Sequence, residues 1–128
     1  MTLAVEVVAS PHTLVSDAAV RSYEARGTTV LLIPLIEMVH VSVGSDVASV
    51  RTVVAVEDRT AELVIDDGPF EALARAVSAL AARGWDVVTL VPSARNGEAH
   101  RALRGTPCRL QTWWLEDSNV RFGALERP

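Results

Sequence analysis

The sequence contains no lysine: its twelve basic residues are all arginines, set against sixteen acidic ones for a formal net charge of −4. No basic stripe is present, so nucleic-acid binding is not expected. Coding bias toward GC-rich codons is the simplest account of the missing lysine. Cysteine occurs once, as Cys108. That excludes an intrachain disulfide and a cysteine zinc cluster, and a lone thiol fits a reducing cytosol, so a cytoplasmic location is expected. Aromatic residues make up only 5%, which leaves the core to Val, Leu and Ala. Long apolar runs are missing too. The most apolar stretch, residues 30–43, contains Pro34, Glu37 and His40 and falls short of the ~20 residues a membrane helix needs. The opening residues lack a basic region followed by an apolar one, so neither a signal peptide nor a membrane partner is expected. Phosphate-loop, dinucleotide-loop and serine-hydrolase signatures are also absent.

What is present is apolar. Hydrophobic residues reach 49% and mean hydropathy is +0.24. That is high for a soluble monomer, so a partner is expected to cover some surface.

The clearest organisation lies in residues 61–92. The apolar run Leu63-Val64-Ile65 ends at Asp66-Asp67-Gly68-Pro69, a capping acid followed by a proline suited to a first helical turn. Phe70, Leu73, Val77 and Leu80 then recur at helical spacing. Gly84 supplies a left-handed stop, and Trp85 to Val91 reads as a buried strand. Earlier in the chain the same punctuation recurs. Residues 3–9 predict a strand, Ser10-Pro11 a helix start, Ala25-Arg26-Gly27 a helix end, and residues 28–33 a strand closed by Pro34. Two β-α-β units with right-handed crossovers follow from this reading. Any two such units share these signals, so the match does not establish common ancestry.

Between the units, Val39, Val41 and Val43 alternate with Met38, His40 and Ser42, which predicts a half-buried strand. Residues 49–57 predict another, giving an antiparallel hairpin inserted in or extending the sheet. Beyond Pro92, Ser93-Ala-Arg-Asn-Gly97 reads as a polar loop before a short helix at 98–104. Residues 109–115 and 120–125 read as a terminal hairpin. The fold expected is therefore a single α/β domain spanning residues 1–128. Its sheet is mixed but mostly parallel, built from two β-α-β units plus antiparallel hairpins.

The strand–helix–strand over residues 63–89 resembles the opening of a response-regulator receiver domain, and also the first β-α-β unit of the NYN/PIN nucleases. The receiver family needs an acceptor aspartate on the next strand and a lysine on a later one. The nucleases need several separated acids. Neither set can be assigned here, so neither activity is carried over.

Ligands of open α/β sheets bind at the carboxyl ends of parallel strands. Those ends carry Ser10, His12, Asp66, Asp67, Ser93, Arg95 and Asn96, the expected ligand-binding residues. Adjacent acids suit magnesium, so Asp66 and Asp67 are metal candidates, although helix capping by Asp67 is the simpler role. Trp113 and Trp114 must face opposite sides of a strand. With Met38 and His40 they make a candidate interface. The leading expectation is a non-catalytic regulatory or assembly domain, with no cofactor, that associates with itself or another protein. The alternative is a small magnesium-dependent enzyme or ligand binder acting on a phosphate-bearing or acidic small molecule.

Overall fold

The computed structural model describes residues 11–39, 50–65 and 70–128. Among these residues six strands form one mixed sheet in sequence order. They are β1 (Val30–Pro34), β2 (Arg51–Ala55), β3 (Thr60–Val64), β4 (Asp86–Pro92), β5 (Arg109–Glu116) and β6 (Asn119–Glu126). Helix α1 (Pro11–Glu24) covers one face. On the other lie α3 (Leu73–Ala82) and α4 (Asn96–Ala102), while the four-residue α2 (Leu35–Met38) follows β1. The expected first strand, Ser10, His40, Asp66 and Asp67 lie outside the described residues.

Local sequence explains the helix ends. In α3 the N–H of Trp85 bonds to the carbonyl of Leu80 at 3.2 Å, and that of Gly84 to Ala81 at 3.0 Å. This is the paired closure that requires a left-handed residue after the cap, and Gly84 supplies it at φ 89°. The end of α1 repeats the motif through Thr28 to Tyr23 at 3.2 Å and Gly27 to Glu24 at 2.9 Å. The recurring Ala-Arg-Gly therefore marks one backbone motif used twice.

Strand pairing is where the sequence reading and the fold diverge. β3–β4 and β4–β5 pair parallel, whereas β1–β2, β2–β3 and β5–β6 pair antiparallel. β1 does point the same way as β3, as expected, but β2 lies between them. The reason is the short connection over residues 56–59, which permits only a hairpin between β2 and β3. The parallel centre is thus three strands wide, with antiparallel strands on both flanks.

Two smaller differences have local causes. Met38 belongs to α2 rather than to a strand. Pro34 caps that turn with φ −57° and ψ 135°, and Leu35 is fully buried below it. The expected loop at 93–97 is a 3-10 turn (Ser93–Arg95) running straight into α4. Gly97 sits in the first turn of that helix, where N–H groups have no intrahelical acceptor and little regularity is lost.

The sheet separates two apolar clusters. Toward α3 and α4, Ala61, Leu63 and Ile65 of the β3 segment pack with Phe70, Leu73, Val77, Leu80, Leu103, Cys108 and Leu110. Toward α1, Val53, Val64, Val88, Leu90 and Trp113 pack with Val15, Ala19 and Tyr23, spaced four apart along the helix. Cys108 is accordingly a packed thiol, 6% exposed. No helix among the described residues is long and apolar enough to cross a membrane.

Candidate functional site

Strand alternation assigns Glu62 to the α1 face, since its neighbours Ala61 and Leu63 enter the opposite core. An acid there has left most of its water, and burial raises its carboxyl pKa above the usual range. Helix α1 supplies the compensation. The Tyr23 hydroxyl donates to Glu62 Oε1 at 2.7 Å. That hydrogen bond, and the charges of Arg26 and Arg109, pull the pKa partly back down. Tyr23 itself is 5% exposed. Burial, and then the negative charge of Glu62, push its phenol pKa well up, so it remains a donor. Arg26, two residues beyond α1, lays its guanidinium 4.6 Å above the Tyr23 ring.

These groups open onto a cleft of about 420 Å³, lined also by Asp58, Thr60, Asp86, Arg109, Gln111 and Leu125. Register explains the assembly. Thr60 stands beside Asp86, Glu62 beside Val88, and Val88 beside Arg109. One row across three parallel strands therefore runs acid, valine, arginine on the same face. At the rim Arg109 Nη2 bonds to Asp86 Oδ2 at 2.7 Å, and Gln111 is fixed by donating to the Gly123 carbonyl at 2.8 Å. A smaller recess of about 100 Å³, bounded by Ala19 and Phe122, also reaches Glu62. Among the described residues Glu62 Oε2 has no hydrogen-bond partner and the Arg26 guanidinium has no ion-pair partner.

The cleft lies at the amino ends of β3, β4 and β5, opposite the end singled out by the sequence. At the carboxyl end, Arg95 is engaged by Glu98 at 2.7 Å and lies 5.3 Å over the Phe70 ring. Ser93 is exposed. Asn96 begins α4 with a buried Oδ1 that has no partner among the described residues. His12 falls in the first turn of α1. Arg95 and Asn96 are neighbours where the 3-10 turn passes into α4, with Ser93 at the start of that turn. Among the described residues no three His, Cys, Asp or Glu side chains are grouped to hold a metal. Asp66 and Asp67 are not among those residues.

The proposed interface divides as well. Trp113 is 6% exposed and donates its indole N–H to the Ile65 carbonyl at 3.2 Å. It is core, which corrects its assignment to a surface. Met38 packs against the α3-side core. Trp114 remains 38% exposed on the opposite face, resting beside Gly123.

Sequence reasoning missed Tyr23, Arg26, Glu62, Asp86, Arg109 and Gln111. One signal was present: an acid inside the apolar run Ala61 to Ile65, where burial on both faces makes a charge costly unless it is partnered. No protein-family model, curated protein sequence or solved structure is significantly similar to this chain.

Proposed function

We propose that this protein is a regulatory domain that binds a small ligand carrying an amine or another strong hydrogen-bond donor. The observation behind this reading is the half-satisfied Glu62 carboxylate at the floor of the cleft. One oxygen is held by Tyr23 while the other has no partner among the described residues. A desolvated carboxylate with a spare acceptor gains far more from a charged donor than an exposed one does. The cleft has the size usual for small-molecule sites, and its acids outnumber its arginines. The ligand class therefore differs from the phosphate-bearing one expected at the carboxyl end, where Arg95 is already paired.

Thermal denaturation across a set of small primary amines tests the reading. A ligand that binds the native state raises the midpoint by mass action, by about 2.7 kcal/mol of stability at a hundredfold excess over Kd. Glu62→Gln, which keeps the volume, should abolish the shift. An equal shift in Glu62→Gln, or no shift with any amine, would refute the assignment.

Self-association is the second reading, resting on a separate observation. Trp114, Leu115 and Leu125 are 38%, 40% and 47% exposed on the β5–β6 hairpin, and β6 is an edge strand among the described residues. Exposed aromatic and aliphatic groups beside an unpaired edge favour a second copy as partner. Light scattering should give about twice 13.8 kDa, and Trp114→Ser should return the monomer. A monomer at tens of micromolar removes this reading.

A further inference from the structure

The Glu62 cleft holds two opposite charges that do not neutralise each other. Among the described residues Glu62 Oε2 has no hydrogen-bond partner and the Arg26 guanidinium makes no ion pair. Both line the same cavity, and Arg26 is near enough to act on the Glu62 charge. The Tyr23 side chain keeps them apart. Its hydroxyl is bonded to the carboxylate while its ring carries the guanidinium. The site is therefore a fixed dipole, negative at the floor and positive at the rim. At the far rim Arg109 is neutralised by Asp86, whereas Arg26 has no acid paired with it among the described residues.

A ligand that matches both poles is itself dipolar. A primary ammonium on Glu62 would satisfy the spare acceptor. A carboxylate at the other end would meet Arg26 in the fork geometry that guanidinium favours. A simple amine satisfies one pole only, and a simple acid must approach Glu62 without neutralising it. The short recess between Ala19, Ser22, Gln111 and Phe122 leaves room for no more than a small substituent.

We propose that the cleft binds a small zwitterionic amino acid, its ammonium on Glu62 and its carboxylate on Arg26. This rests on the ligand-binding reading above and specifies its chemistry.

Calorimetric titration of the full chain tests it. The probes are glycine, β-alanine and γ-aminobutyrate, with n-butylamine and butyrate as the separated halves. One of the amino acids should bind at least about tenfold tighter than either half, equivalent to ~1.4 kcal/mol. Arg26 is exposed, so Arg26→Gln should fold normally. It should remove the advantage of the amino acid over butylamine. Glu62→Gln should lose both. Equal binding of butylamine and every amino acid would overturn the zwitterion while sparing the amine site. Binding of none of the probes by the wild type would overturn both.

Discussion

The two ends of the parallel strands use polar residues in opposite ways. At the described part of the carboxyl end, Arg95 lies over Phe70 and is paired with Glu98 one turn away, so its charge is met by a neighbour in sequence. At the amino end Tyr23, Glu62 and Arg109 come from three separate elements, with Arg26 just beyond the first, and their contacts leave an acceptor and a cation facing a cleft. Charges close in sequence pair early and locally. Charges brought together by register are held by the sheet and can stay unsatisfied. A site is more readily built from the second kind, because the scaffold rather than a neighbouring side chain fixes the geometry.

The comparison is most sharply broken by Phe70→Ala. Phe70 is fully buried under α3, so its loss should cost about 3–5 kcal/mol in urea denaturation. The Glu62 cleft on the other face should keep its ligand preference. Loss of binding in the folded variant would show that the two ends are coupled.

A smaller effect is expected at Tyr23. Removing the hydroxyl in Tyr23→Phe deprives a desolvated carboxylate of its donor, which should cost about 1.5–3 kcal/mol at neutral pH. The variant should also lose an alkaline sensitivity of the wild type. Tyr23 has its pKa raised on folding, so its contribution is complete below the unfolded value of about 10 and declines as pH rises above it. An identical alkaline midpoint in both proteins would contradict the buried hydrogen bond.

The gentlest test is the pH dependence carried by Glu62. Its folded pKa is raised by burial, so the protonated form favours folding. Stability is fully present below the unfolded value of about 4.3 and declines as pH rises through the higher folded value. Subtracting the profile of Glu62→Gln from the wild type should isolate that decline. A difference that increases with pH would mean that Tyr23, Arg26 and Arg109 outweigh burial and stabilise Glu62 as the anion.

Much of the architecture was legible because it is local. The face formed by Leu73, Val77 and Leu80 is buried as its spacing requires. The terminal hairpin closes at Glu116 and Asn119, with Asp117 and Ser118 at φ 50° and 66°, the mirror-image turn that suits twisted strands. Strand alternation also separated the two tryptophans correctly. It could not say which would be core, since that depends on whether the Ile65 carbonyl lies within reach of an indole N–H.

The amino-end cleft was not legible, although Glu62 stood out as a charge in an apolar strand. Its partners lie 39 residues away at Tyr23 and on strands whose neighbours are set by register. The rule that directed attention to the carboxyl ends concerns sheet topology in general and carries no information about where α1 ends.

By itself the sequence determined where helices stop, which faces are apolar and that strands and helices alternate. Those follow from backbone geometry at Gly27 and Gly84 and from the spacing of side chains along one element. Tertiary structure alone decided that β2 intervenes between β1 and β3, and that Glu62 meets Tyr23, Arg26 and Arg109. Such contacts join distant segments, and their energies are realised only after the sheet has set its order and register.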